Sequence, residues 1–237
     1  KVLTIKLKIT ILGTGTSQGV PIIGCDCKVC QSKDPKDNRL RVSILIQAEG
    51  KNIVIDAGPD FRQQMLRARV THLDAIILTH EHNDHMIGVD DVRPFNFKQK
   101  EGIPVYATER VQKDLLLRFR YVFSKKKYPG APTLELRSIF NDKPFEVKGL
   151  NFTPIEVMHG NLPVLGFRIG DFTYITDART IASEEMEKIK GSKIVILNAL
   201  HYYEHYSHFN VPQALDIFEE LVPEQAYLTH VSHHMGL

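Results

Sequence analysis

The chain of 237 residues has no tryptophan and only three cysteines, and none of its apolar runs approaches the roughly 18 residues that would mark a membrane-spanning helix. No membrane span is therefore expected. A disulfide framework is excluded too, because three thiols crowded into positions 25 to 30 cannot pair completely. A reducing, cytoplasmic setting suits them better. Charge of one sign is equally scarce: a formal net charge of +2 gives no electrostatic footprint for nucleic acid or for an acidic partner. No secretory leader is legible, although the chain opens on Lys1 without a methionine, so its native ends are left open. With 43% hydrophobic and 24% charged residues, the composition is that of an ordinary globular protein, long enough for one domain spanning 1–237.

Histidine is what the chain has in quantity. Nine of the 11 fall into three groups: His80, His82 and His85; His201, His205 and His208; His230, His233 and His234. Clustering of the commonest metal ligand says more than its count.

The opening KLKITILGTGTSQGVP reads as an alternating strand running into a turn that Pro21 keeps from becoming a helix. Gly13, Gly15 and Gly19 lack the Lys-Ser/Thr of a phosphate-binding loop and the following helix of a dinucleotide site, so tight packing under a site is the expected role. RVSILIQAEG and KNIVIDAG form a hairpin turning at Glu49-Gly50. Asp60 caps a helix to about Arg69, and LDAIILTH is an apolar strand ending at His80. IPVYAT is a strand and 109–123 a helix; 124–132 is a basic loop with Lys125, Lys126 and Lys127. From about residue 133, strands FEVKGLNFTPIEV, LGFRIGDFTYITD, KIVILNAL and QAYLTH alternate with helices near 183–190 and 211–221. Two similar successions, broken between 123 and 133 without a linker, indicate two halves of one α/β domain. The strong histidine groups follow strand ends, where sites are commonly built.

THEHNDH, residues 79 to 85, carries the chemistry. Four metal-capable side chains in six positions cannot all face one way on a strand or helix, but a loop can fan them around two ions. This H-x-H-x-D-H pattern resembles the signature of the metallo-β-lactamase superfamily. The resemblance implies a four-layer αβ/βα sandwich of two similar halves. It also implies a ligand set: His80, His82 and His159 for one metal, Asp84, His85 and His230 for a second, and Asp177 bridging both. Asp56 in IVIDAG matches an early aspartate that supports the metal loop from behind. Position 82 is histidine rather than the glutamate of iron-binding redox relatives, which favours hydrolysis.

GTGTSQGVPIIGCDCKVC and SKDPKDNRLRVSILI resemble the branch of cyclic ribosyl phosphate phosphodiesterases, near tRNA 3′-processing nucleases and the quinone-synthesis relatives. In that branch a C-x-C-x-x-C segment and a late histidine hold a structural zinc. Here these would be Cys25, Cys27, Cys30 and His233, with His234 the fallback. SHFNVPQALDI resembles the segment whose histidine meets the phosphate or protonates the leaving oxygen, which makes His208 the expected catalytic residue alongside Asp84. The roles of His201, His205 and His234 stay open. Arg93 either meets a phosphate or pairs with Asp90 or Asp91.

The function implied is a cytoplasmic dinuclear hydrolase, with zinc or manganese as active-site metals, acting on small cyclic or nucleotide-like phosphodiesters through a metal-bridging hydroxide. Two alternatives stand beside it: a thioester or lactone hydrolase on the same metals, and a non-catalytic carrier like the quinone-synthesis relative. A tRNA partner is not expected, for want of a long gripping arm and of positive charge. A homodimer is left open.

Overall fold

The β-branched run Ile9-Thr10-Ile11 in KITILG makes β1 (Lys8–Gly13), the edge of a six-stranded sheet ordered β1-β2-β3-β4-β5-β6. The structure is a computed structural model that describes residues 6–236, so Lys1 and the chain start lie outside it. The chain divides into two compact units, the first comprising Lys1–Gly13 and Ser43–Ile139, the second Thr14–Val42 and Phe140–Leu237.

In the first unit, β2 (Ser43–Ala48) and β3 (Lys51–Ile55) form the expected hairpin. Its two turn residues, Glu49 and Gly50, both take left-handed backbone at φ 48° and 76°. That conformation matches the twist of the flanking strands. From β3 onward the pairing is parallel, through β4 (Ala75–Ile77), β5 (Ile103–Ala107) and β6 (Leu134–Ser138). Parallel strands need crossovers, which α1 (Phe61–Arg67), the helical turn α2 (Asn83–Met86), α3 (Arg93–Gln99), α4 (Glu109–Arg118) and α5 (Arg120–Phe123) help supply. Phe61 and Met65 of α1, with Val111 and Leu115 of α4, bury their i,i+4 faces in one core with Leu45, Val54 and Ile76.

Four expectations need correction here. α1 stops at Arg67, because Arg69 takes φ 53°, and Asp60 sits at its start without a side-chain capping bond. β4 ends at Ile77 rather than His80, because the Thr79 amide donates to the Asp56 side chain instead of to a neighbouring strand. α3 and β6 were not expected. RPFNFKQ has too few apolar positions to show a helical stripe, and LELRS shows only one buried residue, Leu134. The first unit consequently extends to Ile139, past the expected break.

The second unit is a seven-stranded sheet ordered β11-β8-β9-β10-β12-β13, with β7 (Phe145–Val147) also on β8. β8 (Leu150–His159), β9 (Leu162–Ile169) and β10 (Phe172–Tyr174) run antiparallel, and a short β11 (Thr180–Ile181) adds to β8. The chain then crosses through α6 (Ser183–Ile189) to β12 (Ile194–Asn198), and through α7 (Val211–Leu221) to β13 (Gln225–Thr229), both joined in parallel. Its core gathers Ile155, Val164, Ile175, Val195, Leu197 and Ala214. Thr14–Val42, which carries the cysteines, belongs to this unit rather than to the first. No helix among the described residues is long and apolar enough to cross a membrane.

Candidate metal centre

Each unit presents one cluster of the expected ligands at its strand ends. In the first, His80, His82, Asp84 and His85 follow β4, the last two on the helical turn α2. His80 and His85 are buried. His80 Nε2 lies 3.0 Å from His82 Nδ1, and His85 Nε2 lies 3.2 Å from Asp84 Oδ2. These are separations of the size shared by ligands on one ion at about 2.0–2.2 Å per bond.

Asp56 organises this cluster. It is fully buried and accepts from the Thr79 amide at 2.9 Å and from the Thr79 hydroxyl at 2.9 Å. It also accepts from His85 Nδ1 at 2.7 Å. Because the Thr79 hydroxyl hydrogen goes to Asp56, the 2.9 Å contact of that oxygen with His80 has the ring Nδ1–H donating. Both rings are thereby fixed in the tautomer that leaves the Nε2 lone pair outward, the arrangement a metal ligand needs. Burial pushes the Asp56 carboxyl above its ordinary value, while His85 and Thr79 pull it back. Two glycines make room for the loop: a Cβ on Gly58 would stand 1.9 Å from the Asp84 carbonyl oxygen, and one on Gly88 would stand 2.0 Å from that of Gly58.

In the second unit, His159 ends β8, Asp177 follows β10, His230 follows β13, and His208 lies just before α7. Ligand atoms of His159, Asp177 and His208 all fall within 4.8 Å of one another, and His230 Nε2 is 3.2 Å from Asp177 Oδ1. His159 Nδ1 donates to the Ser207 carbonyl at 2.7 Å, leaving its Nε2 for a cation. Asn198, at the end of β12, clamps the peptide next to Asp177: it donates to Ala178 O at 2.9 Å and accepts from Ala178 N at 2.7 Å. Asn210 caps α7 by accepting from the Gln213 amide, while Gln213 accepts from the Asn210 amide, so the chain is fixed two residues after His208. Burial, then the neighbouring His230, hold His208 far below the ordinary histidine range, at about 2, against the upward pull of Asp177. It is therefore a neutral ring beside the ligands, 4.5 Å from the His159 ring and 4.7 Å from that of His230, centroid to centroid.

The thiols form a separate set in the same unit. The sulfurs of Cys25, Cys27 and Cys30 lie 3.3, 3.4 and 3.4 Å from His233 Nδ1. Tetrahedral zinc, with bonds near 2.3 Å to sulfur and 2.0–2.1 Å to nitrogen, puts those atoms about 3.5 Å apart, so the four donors fit it. The Cys30 amide donates to Cys27 Sγ at 3.4 Å, and this bond pulls the Cys27 thiol below its usual range. Burial pushes the Cys30 thiol up to about 11, a cost that a bound cation would reverse. His234 does not join the sulfurs. Its amide donates to Ser232 Oγ at 3.3 Å, and its ring lies 6.0 Å from that of His201. Arg93 pairs with Asp90 at 2.6 Å.

Residues 51–231 match the family described as the beta-lactamase superfamily domain. The chain belongs to the beta-lactamase superfamily. A solved structure described as a new diphosphatase from the PhnP family is 39% identical, with a TM-score of 0.90 over 97% of this chain and 88% of that one. Zinc-bound PqqB from Methylobacterium extorquens shares the fold at 17% identity, with a TM-score of 0.81 over 97% of this chain and 90% of that one. An octanoyltransferase of Porphyromonas gingivalis is 44% identical over 98% of this chain but only 47% of its own length. The superfamily chain thus spans about half the length of the curated relatives it matches. Its fold is the metallo-β-lactamase α/β sandwich.

Sequence reading missed Asn198, the Thr79 hydroxyl and the two loop glycines. Only Asn198 leaves a trace, as the polar residue that interrupts the apolar run KIVILNAL.

Proposed function

We propose that this chain is a metal-dependent phosphodiesterase or diphosphatase acting on small nucleotide-like substrates, tRNA not among them. In this reading His80, His82 and His159 would hold one divalent ion, Asp84, His85 and His230 the other, and Asp177 would serve both. Zinc and manganese both suit such imidazole and carboxylate donors. The observation that carries the reading is the tautomer of three rings: His80, His85 and His159 each commit Nδ1–H to a protein acceptor, leaving Nε2 for a cation. When bound, the pair supplies a water of lowered pKa and a Lewis acid for phosphoryl oxygens. Asp56 and Asn198 hold the ligands in place. His208, neutral and buried beside Asp177, offers an N–H to a substrate phosphoryl oxygen or to the leaving oxygen. The 39% identical PhnP-family diphosphatase favours this substrate class.

A second reading, hydrolysis of an acyl thioester or ester on the same metals, is favoured by the 44% identical relative named octanoyltransferase. One experiment separates the two. His208→Ala is assayed with zinc or manganese on bis-aryl and cyclic phosphodiesters, a nucleoside diphosphate ester, a lactone and an octanoyl thioester. Loss of about 10²–10⁴-fold in kcat on the phosphorus substrates alone is expected. Turnover confined to the carbonyl substrates would sink the phosphodiesterase reading. No turnover of any kind, in a protein holding only thiolate zinc, would favour a non-catalytic carrier.

A further inference from the structure

Three of the eight tyrosines in the chain stand within five residues, Tyr202, Tyr203 and Tyr206, exposed by 59%, 73% and 82%. They belong to the segment between β12 and His208, whose function the metal chemistry does not use. Rings grouped at a surface in this way leave flat apolar area in water that a partner would cover.

The group is anchored beside the ligands. A Cβ built at Gly160, the residue after His159, would meet Tyr206 Cε2 at 3.5 Å, so the Tyr206 ring rests on the bare turn that follows this ligand. The His205 ring lies 5.1 Å from that of Tyr206 and 5.2 Å from that of His208, and His201 lies 5.8 Å from Tyr203. An aromatic surface therefore leads from His208 out to solvent. Residues 201–207 hold no lysine or arginine and one acid, Glu204, so the segment is not built to grip phosphate. A flat, uncharged ring suits it. One or two exposed rings are enough to stack a base.

We infer that residues 202–206 form an aromatic platform that stacks the nucleobase of a substrate whose phosphate lies at His159, Asp177 and His208. This rests on the phosphodiesterase reading and narrows it to nucleotides. It makes the tyrosines specificity-determining rather than catalytic.

Binding tests the platform without requiring turnover. Metal-loaded protein is titrated with adenosine monophosphate and with ribose 5-phosphate by calorimetry. Because the chain has no tryptophan, tyrosine emission reports on the same event. The nucleotide is expected to bind at least about tenfold more tightly, as stacking on one or two rings implies. That preference should fall towards unity in Tyr202→Ala/Tyr203→Ala/Tyr206→Ala and survive in the triple phenylalanine variant, which keeps the rings and removes the phenols. Single alanine variants serve if the triple one does not fold, each lowering the preference part of the way. Equal affinity for the two ligands, no binding of either, or a preference that survives the triple alanine change would overturn the platform. A base preference in a protein that hydrolyses no phosphodiester would instead sink the enzymatic reading and leave the platform standing.

Discussion

Asp56, Asp177 and His230 share a backbone conformation that side-chain-bearing residues seldom adopt, at φ 65°, 56° and 55°. Each costs on the order of 1 kcal/mol or more, and it persists only where surrounding bonds over-determine it. Those bonds are visible: Thr79 and His85 on Asp56, and Asn198 on the peptide after Asp177. Asp56→Asn keeps the volume but swaps an acceptor for a donor opposite His85. On the proposed reading, metal affinity at the histidine cluster should fall about 10–100-fold while zinc at the cysteine set stays bound, as a metal titration would register. Asn198→Ala strips two buried partners from the Ala178 peptide. Because the Ala178 carbonyl keeps the Phe209 amide at 2.7 Å, stability should fall by about 1–3 kcal/mol in a urea melt, the cost of the orphaned Ala178 amide; a change under about 0.5 kcal/mol would contradict the clamp. The candidate ligands were named from residue type and spacing, and the structure places them in clusters after strand ends. The left-handed backbone was not legible, since aspartate and histidine favour positive φ only weakly and most of them in the chain do not adopt it.

Among the elements, strands and crossovers were legible wherever one face was continuously apolar. The hairpin at Glu49-Gly50 and the helix Val211–Leu221 follow the sequence reading closely, each having a local signal, a turn pair and an Asn/Gln cap. β6 and α3 escaped because exposed positions dilute their periodicity, and β4 was read too long because a side chain ends its ladder. Close approach is likewise invisible in one sequence. Gly50 and Gly58 look alike there, yet a Cβ on Gly50 meets nothing within 4 Å while one on Gly58 strikes the Asp84 carbonyl. Gly50→Ala should therefore cost only its φ, about 1–2 kcal/mol. Gly58→Ala should cost at least as much in urea and should also displace the metal loop, which metal titration detects. Equal metal affinity in the two variants would show that the loop yields without consequence.

At the scale of the whole molecule, the thiolate set ties together residues 208 apart in sequence, Cys25 and His233. A reversible link of this kind stabilises because the ion binds the folded chain, where the four donors stand together, and not the unfolded one. Cys25→Ser should release one equivalent of zinc and lower the melting temperature, with elemental analysis and calorimetry reporting the two effects together. An unchanged zinc content would refute the assignment of these four donors.

That separation also sets a clock. At 5–20 residues per second, synthesis leaves the three thiols waiting on the order of 10–40 s for their imidazole partner. Throughout that interval the growing chain offers an unfinished triad of soft-metal-seeking thiols. Copper exposure or oxidative stress during translation should thus damage nascent chains far more than completed ones.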